Sequence, residues 1–100
     1  MRDFFKSYKA RINRNHKVIL EVANRVKDLG GDYYFVNPDR AIQSWVYIVV
    51  DGKKITFGFA EVPYRWYIGS EYRGAISVGT ENPYTAEQII SRCKTHGEKI

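Results

Sequence analysis

Residues 45–60 read WVYIVVDGKKITFGFA, two runs rich in β-branched and aromatic residues on either side of Asp51-Gly52. An Asp-Gly pair between alternating apolar runs is the strongest short-range signal for a hairpin closed by a two-residue type I′ turn. With that turn Val50 opposes Lys53, Ile48 opposes Ile55 and Val46 opposes Phe57, and Phe59 extends the apolar face. The other face pairs Val49 with Lys54, Tyr47 with Thr56 and Trp45 with Gly58. A three-residue turn with a glycine bulge is the rival register. It would set Trp45 and Tyr47 beside Phe57 and Ile55 and turn those aromatics inward. The type I′ register separates the faces better and is the one expected.

Before the hairpin, Phe5, Tyr8, Ile12, Asn15, Ile19, Val22, Val26 and Leu29 recur at spacings of three and four. This is one inward stripe of a long helix. Gly30-Gly31 ends it, since a left-handed cap favours a residue without Cβ. Asn13-Arg14-Asn15-His16 is a weak point where asparagines compete for backbone hydrogen bonds, and a break or bend there would leave residues 1–12 as a separate basic arm. Asp32–Val36 reads as a short aromatic strand stopped by Asn37-Pro38. After the hairpin, Tyr64–Gly69 reads as a further strand, with Tyr64, Trp66 and Ile68 on one side and Arg65 and Tyr67 on the other. Residues 70–74 read as a loop and Ala75–Val78 as a short strand. Thr85-Ala86-Glu87-Gln88 has the spacing of a capping box at the start of a last helix. Gly97 ends that helix, and a frayed tail follows.

The expectation is an α+β fold in one domain, residues 1–100. It has a long N-terminal helix, a three- to five-stranded antiparallel sheet built on the 45–60 hairpin, and a C-terminal helix at 86–96. One hundred residues with 44% hydrophobic and 27% charged side chains suffice for a single core. The lone Cys93 excludes an internal disulfide and fits a reducing compartment. With no long apolar run and no signal-peptide core, a cytoplasmic protein without a membrane partner is expected.

The charge is uneven. Residues 1–17 hold Arg2, Lys6, Lys9, Arg11, Arg14 and Lys17 against Asp3 alone, so the whole formal excess of +5 lies there. Residues 18–100 carry ten basic and ten acidic side chains. Such asymmetry points to an anionic partner or to a solvated helix face that maintains solubility.

Catalytic constellations are thin. Cys93 and His96 are spaced for one helix face, but metal sites need three or four ligands and no C-x-x-C pair accompanies them. A thiol and base on one short helix are poorly placed to share a substrate. No glycine-rich phosphate loop opens a helix. No enzyme activity, cofactor or metal is expected. The αβββα order invites comparison with double-stranded-RNA-binding domains, but the last helix opens with Thr85-Ala86-Glu87-Gln88 instead of lysines.

Aromatics and arginines are the distinctive content. Trp45, Tyr47, Tyr64, Arg65, Trp66, Tyr67, Tyr72 and Arg73 are of the types enriched at interaction hot spots. In size and lack of catalytic motif, the chain resembles compact accessory proteins of phages and mobile elements, including anti-CRISPR inhibitors. The expected function is that of a small protein-binding inhibitor or regulator. It would dock this surface and the basic helix on a larger partner, possible targets including a nucleic-acid-handling complex. The alternative is direct DNA or RNA binding. Lys6, Lys9, Arg11, Arg14 and Lys17 would then hold phosphates while Trp45, Tyr47 or Trp66 stack on bases.

Overall fold

The structure is a computed structural model that describes residues 2–39, 45–60, 65–69, 71–73, 82 and 84–100. Side chains are described for 14–39, 45–59, 65–69, 82 and 84–100. Tyr64 and the expected strand at Ala75–Val78 lie outside these residues. The chain is α+β. Helix α1 spans Arg2–Asp28 and is followed by strands β1 (Asp32–Phe35), β2 (Trp45–Val50), β3 (Lys53–Ala60), β4 (Arg65–Ile68) and β5 (Glu71–Arg73). Helix α2 (Ala86–His96) and a two-residue strand β6 (Glu98–Lys99) complete it.

The five main strands form an antiparallel meander in the order β1-β2-β3-β4-β5. The hairpin has the type I′ register, with Val50 opposite Lys53, Ile48 opposite Ile55 and Trp45 opposite Gly58. Asp51 and Gly52 both have positive φ, 51° and 75°. That backbone twist matches the right-handed twist of the strands, which type I or II turns would splay. Alternation then places Val46, Ile48, Ile55, Phe57, Trp66 and Ile68 on one face, where all are buried.

Both helices pack on that face. Ile19, Ala23 and Val26 from α1 and Ile89 and Cys93 from α2 are fully buried against it. Helix α1 is continuous, as the long N-terminal helix expected, through the weak point at Asn13–His16. Asn15 is itself buried, on the inward stripe one turn before Ile19. Tertiary packing outweighs its weak helix propensity. The helix ends in a Schellman arrangement. Gly30, at φ 97°, donates its N–H to the Lys27 carbonyl and Gly31 donates to that of Val26. Leu29, expected on the inward stripe, is 41% exposed because the helix has ended before it.

Helix α2 opens with the full capping box. Thr85 Oγ1 accepts from the Gln88 N–H at 3.1 Å, and Gln88 Oε1 accepts from the Thr85 N–H at 3.0 Å. At its other end, the Lys53 ammonium donates to the Lys94 carbonyl at 2.7 Å. That places a cation where the helix dipole favours one.

Two further expectations are corrected. Glu71–Arg73 is a strand, not a loop, because Gly69 at φ 63° lets the chain reverse tightly onto β4. Glu98–Lys99 is paired, not frayed. Strand β4 covers β3 only from Phe57 to Ala60, and β6 takes the same edge at Lys53 and Lys54.

Gly52 has open space where a Cβ would sit, so Gly52→Ala tests turn torsion alone. Urea denaturation should show a loss of about 1–2 kcal/mol, the cost of left-handed backbone at a residue with a Cβ.

Candidate functional site

The second face of the sheet is covered by neither helix. Its described positions are Asp32 and Tyr34 on β1, Trp45, Tyr47 and Val49 on β2, Lys54, Thr56 and Gly58 on β3, and Arg65 and Tyr67 on β4. The aromatic rings are grouped in pairs. Tyr34, 46% exposed, lies 5.0 Å from Tyr47 between ring centroids. The Lys54 ammonium sits 4.8 Å above the Tyr47 ring, within range of a cation–π contact.

Trp45 and Tyr67 explain how this face is built. Both are register partners of Gly58, one from each side. Strands two apart lie roughly 10 Å from each other, yet these rings meet edge to face at 5.1 Å. The rings therefore lean together over the glycine, which is buried although no helix covers it. A side chain at 58 would hold them apart. Glycine weakens a strand, and flanking aromatics offset that weakness by covering its backbone.

The residues expected at the site are divided by the structure. Trp45, Tyr47, Arg65 and Tyr67 belong to this open face. Trp66 does not. It is fully buried on the helix side, stacked 5.8 Å from Phe57 and edge-on to Phe59 at 5.3 Å. The correction follows from alternation: neighbours on one strand cannot face the same side. Tyr72 holds the register position opposite Tyr67, and Arg73 the one opposite Trp66. Tyr64 lies outside the described residues.

The basic helix is also separate. Lys6, Lys9 and Arg11 lie on the first turns of α1, and Arg14 and Lys17 are exposed on it. Because α1 packs against the Val46–Ile48 side, it and the aromatic face lie on opposite sides of the sheet. Phosphates held by the described Arg14 and Lys17 and bases stacked on Trp45 would lie on opposite sides of the sheet.

Sequence reasoning missed a notch beside the open face. Between the ends of β6 and β4, the edge of β3 at Ile55 and Thr56 borders a cavity of about 450 Å³. Lys54, Thr56, Tyr47, Tyr67, His96 and Glu98 line it. The signal was long-range: it depends on β6 pairing with β3, which two polar residues do not announce.

Cys93 is fully buried, and its thiol donates towards the Lys53 carbonyl at 3.4 Å. Burial pushes its pKa up, and the Val50 backbone amide and Lys53 only partly oppose this. His96 is exposed at the helix end. The thiol should therefore resist an aromatic disulfide reagent in the folded chain and react at once in denaturant. Because the folded pKa is the higher one, Cys93 should not affect stability below about pH 8.5, and stability should fall as pH rises above it.

The two tryptophans should also separate cleanly. Trp66→Ala removes a core ring and should cost about 3–5 kcal/mol in urea denaturation. Trp45→Ala loses mainly an edge-to-face contact, about 0.5–1.5 kcal/mol. Acrylamide should quench Trp45 fluorescence and spare Trp66.

No helix among the described residues is long and apolar enough to cross a membrane. Set against known proteins, the chain matches no family model, no curated protein and no solved structure.

Proposed function

We propose that the chain is a small non-catalytic protein-binding inhibitor or regulator that docks on a larger partner through its open sheet face. The observation that carries this reading is the cluster of Tyr34, Trp45, Tyr47 and Tyr67 on a face neither helix covers. Such aromatics anchor interfaces because they bury large area at little cost in rotamer entropy.

Charge favours a protein over a nucleic acid at this face. The described positions of this face carry two cations, Lys54 and Arg65, and two acids, Asp32 and Glu98, so the face has no net positive charge. Phosphate binding would require an excess of cations. Trp45 and Tyr67 also meet edge to face, so their contact covers part of a ring surface that a base would need for stacking.

A second reading has its own support. Arg14 and Lys17 are exposed on α1, so that helix is placed to meet phosphates independently of the sheet.

A pull-down from host lysate, with and without nuclease and at two salt concentrations, separates the readings. Docking through the sheet predicts a stoichiometric protein band that survives nuclease and moderate salt. Trp45→Ala with Tyr67→Ala should weaken it by about 2 kcal/mol or more, the scale of a hot spot. Recovery of nucleic acid alone, lost with salt or on Lys9, Arg11 and Arg14→Ala, would reject docking as the primary role.

A further inference from the structure

We infer that the partner presents carboxylates to the open face, one entering the notch beside Lys54 and His96 and a second meeting Arg65. The inference rests on the docking reading for the source of those carboxylates. It derives their chemistry from which charges on the face are already satisfied.

Asp32 is committed. Its Oδ1 accepts the Tyr33 N–H at 2.8 Å. Lys54 is not committed to any carboxylate among the described residues. Glu98 is its register partner, yet no ion pair joins them, and the ammonium rests over the Tyr47 ring. Lys54 therefore remains available on the wall of the 450 Å³ notch, with the Thr56 hydroxyl and the His96 imidazole on the same lining. All three can donate a hydrogen bond to a carboxylate.

Arg65 carries the second position. Its Nε is buried and has no hydrogen-bond partner among the described residues. The residue as a whole is only half-buried, so a carboxylate would meet the terminal nitrogens of the guanidinium, which form the stronger, charge-assisted kind of hydrogen bond. Ala60, the register partner of Arg65, lies six positions along β3 from Lys54. That sets the two cations roughly 20 Å apart along the strand, at 3.3 Å per residue. Trp45 and Tyr67 lie between them over Gly58. The complementary surface is an apolar patch flanked by two acidic side chains. The net charge of +5 favours encounter with such a surface.

Glu98 works against a carboxylate in the notch, and this makes the test sign-specific. The isolated, ¹⁵N-labelled chain is titrated with the N-acetyl amides of glutamate and of arginine at constant ionic strength, followed by NMR. The glutamate probe should give saturable shifts at the Thr56, Gly69 and Glu98 amides, and the arginine probe a weaker response. Lys54→Gln should weaken glutamate binding at the notch about three- to fivefold, as loss of one exposed ion pair does. Glu98→Gln should strengthen it. Arg65→Gln should abolish the separate response near Ala60.

The inference is overturned if arginine binds as well as glutamate, if no saturable shift occurs, or if Lys54→Gln leaves the notch response unchanged. Weakening on Glu98→Gln would overturn it too, and that variant keeps the test open should Lys54→Gln disturb the fold. No partner is needed in these titrations. A missing glutamate response therefore rejects the carboxylate inference alone, while a missing protein band in the lysate rejects docking alone.

Discussion

A two-residue turn with left-handed backbone at both positions fixes the side of the sheet on which every side chain of β2 and β3 emerges. Strand side chains alternate with a period of two, so a slip of one residue would exchange the two faces completely. Val46, Ile48, Ile55 and Phe57 would then meet water, and Trp45 and Tyr47 would meet the helices. The cost of exposing that many apolar side chains, about 1.5–3 kcal/mol each, leaves the observed register without a competitor. Through pairing of β4 with β3, the same choice sends Trp66 inward and Tyr67 outward. The outward position of Tyr67 is thus a consequence of turn chemistry fifteen residues away in sequence.

How much of this was legible depends on the range of the interaction. The hairpin register, the capping box at Thr85 and Gln88, and the glycine end of α1 are local, and each was readable from a handful of neighbouring residues. Strand β6 was not, because Glu98-Lys99 has no strand propensity. It forms where α2 delivers it against an edge of β3 that β4 leaves uncovered. Trp66 was misread for a different reason. Composition alone groups it with Tyr67 and Arg65 as interface material, whereas the alternation of β4 already separates them. The division of labour between tryptophans was present in the sequence pattern but was overridden by residue type.

The separation of the basic helix from the aromatic face changes what the charge asymmetry implies. At 1.5 Å per residue α1 runs roughly 40 Å, close to the 46 Å longest extent of the molecule. Its exposed Arg14 and Lys17 are on the opposite side of the sheet from Trp45 and Tyr67. A flat partner cannot engage both surfaces at once. The helix charge therefore contributes to solubility and long-range attraction, effects that salt screens within about a Debye length of 8–10 Å. On the proposed docking reading, short-range affinity falls to the aromatic face.

An open sheet face and an open sheet edge are different invitations, and the edge at β1 is partly closed. Val36 donates its N–H to Trp45, so Asp32 and Tyr34 also bond towards β2 and the N–H groups of Tyr33 and Phe35 point outward. Asp32 takes the first of these with its own carboxylate. An incoming strand would have to displace that bond and approach a negative charge, a device natural sheets use against edge pairing. Strand addition at β1 is disfavoured for that reason, while nothing comparable among the described residues guards Tyr34, Trp45 and Tyr47 a few ångströms away. The chain blocks the less specific mode of association, which reads only backbone, and leaves open the face that reads side chains.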